Sequence, residues 1–452
     1  MCYYITVEYI IGYIYSTIFR KKDGDIMRNK KIVKLLGPVA GIMSFMLFTG
    51  IFTTSAFAEE VSTSTAVISQ NTANDYKKII NKSVEENGVK VTLLDVVVTK
   101  HKVKANIKLE CSKGLQDEKQ IGMFTQGIYN MQNSWGSSRG YYNIDENTVL
   151  INMEEDCDEN EEDSQYNPQG IYRIDVVVPY YNVNIGMNIP LDFTSEFEKV
   201  KEKEVSIYAK DLDINIKKVE IDILGTNIYY TQKAKDHRNY DFYNEVQDPI
   251  ILFKVGDIMF VADNYGGVDW RGNNEDDNLE YSTYYSKDAI YDKVTTSDAI
   301  SIIPIFSDIT NNDSNRFYEE KYKDGYKVNE KEYINNENVF FVKDFNFSDN
   351  SKGEIYKVER ENDVVKVYSR SNSKEKSLLM ASTIDLYPRY DEDEQYYNRV
   401  DYHKSIYKDK NDENGYVIEF ANVEKDTKVT VNINDLIQFS DRYKIGEEVK
   451  LK

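Results

Sequence analysis

The chain has 452 residues, with 77 acidic against 56 basic side chains, a net charge of −21, 13% aromatic residues and three cysteines. Such apolar and aromatic content excludes a wholly disordered chain. The acidic balance excludes a nucleic-acid binder that must displace counterions, and three cysteines exclude a disulfide-rich miniature scaffold.

Residues 1–26 read as an upstream extension or a start-site artefact, because Met27 stands directly before an export pattern. They contain an apolar stretch, Tyr3 to Phe19, that ends in Arg20-Lys21-Lys22. From Met27 onward come basic residues (Arg28, Lys30, Lys31, Lys34), an apolar run from Leu35 to Phe52, and Ala56-Phe57-Ala58. This order is the secretory signal pattern, in which Ala56 and Ala58 fit the peptidase site and the cut follows Ala58. The cations stay on the inner side while the apolar run enters the bilayer. Eighteen apolar residues also approach the ~20 that span a bilayer. Residues 27–58 therefore read as a signal peptide or a membrane anchor, the chain's expected contact with a membrane. Residues 1–58 hold seven of the basic and three of the acidic side chains, so the remainder is more acidic still. Glu59 to Asn74, rich in Ser, Thr and Ala without periodicity, reads as a linker.

Beyond residue 74 the dominant signal has period two. Val89, Val91 and Leu93 alternate with Lys90 and Thr92; Val103, Ala105, Ile107 and Leu109 alternate with Lys104, Asn106 and Lys108. These are half-buried antiparallel strands joined by a hairpin near Thr99–Lys102. Few prolines and many β-branched residues fit strands throughout, and no long helical stripe follows residue 75. Leu212, Ile214, Ile216, Val219 and Ile221 repeat the spacing of Val89, Val91, Leu93, Val96 and Val98 at an offset of 123. Closing strands at Tyr172–Pro179, Ala299–Ile305 and Lys428–Ile433 recur at a similar interval. The pattern predicts an all-β protein of tandem antiparallel immunoglobulin-like β-sandwich modules at 75–196, 204–312 and 325–452. The charged joints Ser195–Glu204 and Thr310–Lys327 read as helix or loop.

Motifs that carry chemistry are few. His101 sits in the hairpin turn, His237 in a Lys-Asp-His-Arg run and His403 beside Tyr402 and Lys404. No two share a metal-ligand spacing, so each reads as a solvent-exposed histidine, with no metal or cofactor expected. Gly136-Ser137-Ser138-Arg139-Gly140 has the letters of a hydrolase elbow without the buried strand before it or the helix after it, and reads as a loop. Within Glu154–Asp163, Asp156, Asp158 and Asn160 alternate as in a calcium loop. Glu161 stands where the turn glycine belongs and Asn167 where the bidentate Glu belongs, so this run reads as a solvated loop. After export Cys111 and Cys157 form a disulfide or stay free thiols. Trp135 and Trp270 lie in Gly-rich loops, WGSSRG and GGVDWRG, where a flat ring stacks on a sugar or anchors the loop to its own sheet.

Asn81 to Gly114, NKSVEENGVKVTLLDVVVTKHKVKANIKLECSKG, resembles an extracytoplasmic domain family of unknown function from Clostridia and Bacilli. That family is often attached to anti-sigma-factor-like membrane proteins. Lys203 to Thr231 resembles the immunoglobulin-like β domain that commonly follows it. Signalling members carry a cytoplasmic anti-sigma region before their membrane helix; the short stretch before Met27 leaves direct anti-sigma activity unexpected here. The resemblance brings no catalytic residues. The expectation is a non-enzymatic, exported envelope protein of a Gram-positive bacterium, acting through its sandwich surfaces on an unknown envelope protein or glycan. The alternatives are a carbohydrate or envelope-polymer binder using the Trp135 and Trp270 loops, and an accessory sensor ectodomain of an envelope-stress circuit.

Overall fold

The computed structural model describes residues 76–115, 125–129, 137–156, 166–233, 242–265, 279–294, 299–323, 333–389 and 402–451. They form antiparallel sheets with few helices, an all-β sandwich protein. Among them no helix is long and apolar enough to cross a membrane. The segment with Ala56 and Ala58, and the linker after it, lie outside the described residues.

The first module contains β1 (Lys78–Glu86), β2 (Val89–Val98), β3 (Lys102–Cys111), β4 (Thr125–Tyr129), β5 (Ser137–Asp145), β6 (Thr148–Asp156), β7 (Gln169–Val178) and β8 (Val183–Asp192). A short helix, α1 (Thr194–Phe197), leads into the second. There β9 (Lys201–Ala209), β10 (Ile214–Ile221), β11 (Thr226–Lys233), β12 (Ile250–Val255), β13 (Ile258–Tyr265) and β14 (Leu279–Ser286) precede α2 (Tyr291–Val294) and β15 (Ile300–Ser307). Helix α3 (Asn311–Lys321) follows, started by a reciprocal cap between Thr310 and Asp313. The third module holds β16 (Tyr333–Asn336), β17 (Val339–Val342), β18 (Asp344–Asn346), β19 (Lys352–Glu361) and β20 (Val364–Ser371). It continues with α4 (Lys374–Thr383), β21 (Asp385–Pro388), β22 (His403–Lys408), β23 (Tyr416–Ala421) and β24 (Val429–Asn432). Two short strands, β25 (Tyr443–Ile445) and β26 (Val449–Lys450), end the chain.

One strand order recurs three times: β1-β2-β3-β6-β5, β9-β10-β11-β14-β13 and β18-β19-β20-β23-β22. Counted from the first strand of each recurring order, the fourth and seventh strands pair antiparallel across the sandwich: β4 with β7, β12 with β15, and β21 with β24. The pairing of the second and third strands slips at matching places, between Leu93 and Asp95, Ile216 and Lys218, and Ile355 and Lys357. A bulge adds one residue and changes which face the next side chains take. Its threefold recurrence at one position therefore extends the internal repeat from two modules to all three.

Alternation fills each core. In the first module Val91, Leu93, Ile107, Leu109 and Ile151 meet Tyr172, Ile174, Val176, Ile185 and Met187 across the two sheets. The second and third modules share more than a linker. Strand β13 pairs with β22 through Ile258–Tyr407 and Met259–Ile406. Leu252, Met259 and Ile305 of the second module sit in the apolar core of the third. The chain's end then folds back, with β25 and β26 pairing to β15 and Leu451 buried in the second module's core.

Three local expectations change. The charged joint Ser195–Glu204 becomes a strand from Lys201 onward, because β9 is a sheet edge and alternating charges suit an edge that must not recruit another strand. Of the hydrolase-like letters, Ser137 to Gly140 lie in β5, where Ser138, the elbow position, pairs with Glu154, so there is no strand-to-helix elbow at this serine. Helix α4 has no apolar stripe because Ser377 to Ser382 are all buried, which removes the periodicity that marks a surface helix.

Candidate functional site

The densest grouping of chemistry-bearing side chains lies where the first module meets the second. The turn Thr99–Lys102 closes the β2–β3 hairpin, with the Thr99 amide donating to the Lys102 carbonyl at 2.8 Å. It carries Lys100 and His101 against β9 and β10. In β10, Val219 and Ile221 point into their own core, so Glu220 faces outward. It is nonetheless only 1% exposed, because the first module covers it.

His101 Nε2 stands 3.6 Å from Glu220 Oε2, and Lys218 Nζ stands 2.8 Å from the same oxygen. Lys100 Nζ donates to Glu202 Oε1 at 2.9 Å. One ligand atom each from His101, Glu202 and Glu220 falls within 4.8 Å of the others. Burial holds the Glu220 carboxyl above its ordinary value even beside Lys218. At Glu202 burial also pushes upward, but the Lys100 hydrogen bond and the neighbouring cations outweigh it and leave the carboxyl below its ordinary value.

A second layer of the joint surrounds Tyr285. Glu154, at the end of β6, lies between Lys102 Nζ at 2.9 Å and Lys104 Nζ at 3.1 Å. Lys102 Nζ sits 3.7 Å from the centre of the Tyr285 ring, and Lys104 Nζ donates to the Tyr285 hydroxyl at 3.3 Å. That hydroxyl donates onward to the Leu224 carbonyl at 2.7 Å. Burial acts to raise Glu154, and the two lysines overcome it, bringing the carboxyl down to about 2. Burial pushes Tyr285 up to about 12.

Asp222 completes the layer from the β10–β11 turn. Its Oδ1 accepts from the Leu224 amide at 2.7 Å and the Gly225 amide at 3.0 Å. Burial pushes this carboxyl up to about 6. Gly225 is required here: its φ is +155°, and a Cβ would stand 2.5 Å from the Ser286 carbonyl oxygen.

The residues expected to matter fall in different places. His101 is packed into this joint, its side chain 12% exposed, because a module more than a hundred residues away closes over a locally polar turn. His403 is one-third exposed and pairs with Asp288 at the seam between the second and third modules. Glu154, first of the acidic run, is an anchor between two lysines and not part of a solvated loop. Cys111 is buried at the end of β3. Cys157, Trp135, Trp270 and His237 lie outside the described residues. Glu202, Glu220 and Tyr285 were not singled out from sequence, because each looks like one more outward-facing residue of an alternating strand.

Two hollows lie on the surface of the described residues. One of about 190 Å³ is lined by Lys201, Glu202, Lys203, Val219, Ile221, Ile300 and Leu451. The other, about 650 Å³, is lined by Asn87, Gly88, Lys113, Tyr180 and Tyr181, with Tyr180 61% exposed.

No family model matches the chain. No curated protein matches it either. Two solved structures are similar in part. One is the crystal structure of the conserved domain protein from Bacillus anthracis, 18% identical, covering 52% of this chain and 79% of its own, with a TM-score of 0.37. The other is the N-terminal periplasmic domain of ScsB from Proteus mirabilis, 8% identical, covering 51% of this chain and 94% of its own, with a TM-score of 0.16.

Proposed function

We propose that this chain is an exported, non-enzymatic protein of a Gram-positive cell envelope that presents joined β-sandwich modules as a binding or structural surface. The observation that carries this reading is the run from Arg28 to Ala58, basic, then apolar, then small-x-small, ahead of three repeated sandwiches. An acidic, strand-built exterior suits a crowded envelope, since net charge keeps such a surface soluble. Mass spectrometry of the native amino terminus, with fractionation of the producing cells, tests it. A product outside the cytosol that starts at Glu59, or one that keeps 27–58 and sediments with membrane, supports the reading. A product in the cytosol with 27–58 intact overturns it.

A second reading, binding of a glycan or envelope polymer, is favoured by the hollow at the tip of the first module. Exposed Tyr180 lines it together with Lys113. Glycan-array binding lost in Tyr180→Ala assigns the site to that hollow. Loss in Trp135→Ala or Trp270→Ala assigns it to the loops.

A further inference from the structure

We propose that His101, Glu202 and Glu220 form a site for a divalent transition-metal ion of the zinc type, fastening the first module to the second. One imidazole and two carboxylates converge from two modules, their ligand atoms within 4.8 Å of one another. Three such protein ligands with a further position open to water are a common zinc arrangement. An imidazole in the set favours zinc, copper or nickel over magnesium and calcium, which prefer oxygen donors alone. Around a zinc ion at ~2.0–2.1 Å the ligand atoms stand about 3.3 Å apart, so the set closes by roughly 1–2 Å on binding.

A second observation points the same way. Glu220 is 1% exposed, so its carboxylate is a buried charge facing this cluster, with Lys218 Nζ 2.8 Å from its Oε2. The two ammonium groups now balancing the carboxylates each have another place to go. Lys100 reaches solvent from a side chain 36% exposed. Lys218 lies 5.0 Å from the centre of the Tyr229 ring, a cation–π position on its own module. One divalent ion replaces two monovalent cations at two carboxylates, so the local charge is unchanged.

The test uses the full mature chain, stripped with a chelator and dialysed against zinc chloride, then against calcium chloride. Elemental analysis should find one zinc per chain, and thermal unfolding should shift upward by several degrees with zinc and not with calcium. His101→Ala and Glu220→Gln should each lower zinc affinity at least a hundredfold. Glu202→Gln, at the exposed end of the set, should lower it about tenfold while leaving the metal-free melting temperature within a degree or two, which keeps the test open if the buried variants fail to fold. Lys218→Met removes the competing cation and should tighten zinc binding, an effect that a purely structural ion-pair cluster does not produce. His403→Ala should change nothing. Less than a tenth of a zinc per chain, or equal binding by wild type and Glu202→Gln together with unchanged binding by Lys218→Met, overturns the proposal.

Discussion

The two joints of this molecule are built from different materials. Between the second and third modules the sheet runs on through β13 and β22, Leu252, Met259 and Ile305 enter the neighbouring core, and the chain's end returns to seal the second module. Between the first and second modules the described residues share no sheet. Among their contacts are Lys102, Lys104 and Glu154 around Tyr285, Lys100, His101 and Lys218 around Glu202 and Glu220, and the Tyr76 hydroxyl donating to Asp292. Apolar burial is non-directional and forgiving of small shifts. Buried charges are the reverse: nearly neutral when every partner is in place, and costly when one is missing. The first joint therefore leans on charge, whereas the second adds to its shared sheet and apolar contacts a cluster of Asp263, Asp288, Asp385 and Lys404, of which Asp288 and Lys404 are buried.

The contrast breaks most visibly at Glu154. Replacing it with Ala removes the carboxylate that buried Lys102 shares with Lys104, and a broken buried pair costs about 3–5 kcal/mol. Urea unfolding of Glu154→Ala should show that loss, while Glu154→Ala/Lys102→Met should recover most of it. The same pair sets an acid limit. Its folded carboxyl lies at about 2, below the ordinary 4.5, so its stabilisation is full above about pH 4.5 and disappears as pH falls toward 2. A smaller loss is expected at the other joint. Leu451→Ala empties part of the second module's core, which costs about 2–4 kcal/mol. Moderate salt should leave that loss unchanged, and a strongly salt-dependent loss would show that the strap's Glu448–Lys254 pair outweighs its apolar anchor.

How far the sequence spoke for itself follows the same division. Alternation in Val89–Leu93 and its echo in Ile214–Ile216 exposed the strands and the repeat, because a strand's two faces are written at period two whatever packs on them. The edge-to-edge pairing of β13 with β22 left no such mark, since it involves two residues from each strand. Helix α4 was hidden because it is buried on every side, and the returning strands because they are three and two residues long. The candidate site was half visible. His101 announced itself as one of three histidines, but its partners Glu202 and Glu220 look like ordinary outward residues until another module covers them. Burial contributed by a distant part of the chain is the one property that a local pattern does not encode.

Asp222 sharpens the comparison with an effect of opposite sign. Its folded carboxyl is raised to about 6 from 3.8, so its contribution is most favourable below pH 3.8 and is lost as pH rises through 6. Asp222→Asn keeps an oxygen for the Leu224 and Gly225 amides while removing the buried charge. At about 1.4 kcal/mol per unit the shift caps the gain near 3 kcal/mol, and the cost of burying the new amide NH2 reduces it to about 1–2 kcal/mol at pH 7.5. At pH 4 the variant should gain nothing. Equal gains at both pH values, read from paired urea titrations, would show that the substitution acts through packing and not through charge.

The least costly change belongs to the rim of the ionic joint. Lys100 and Glu202 are each about one-third exposed, so water and salt already screen their attraction. Lys100→Ala should cost no more than about 0.5 kcal/mol in metal-free protein, as exposed pairs do. Half-molar salt should erase even that difference, whereas the Glu154→Ala loss should persist, because its partner Lys102 is shielded from solvent. If the Lys100→Ala loss matched that of Glu154→Ala and survived salt, the rim and the interior of the joint would be one coupled network. The zinc affinity of the Lys100→Ala variant would then have to fall with it, where release of a competing ammonium predicts that it rises.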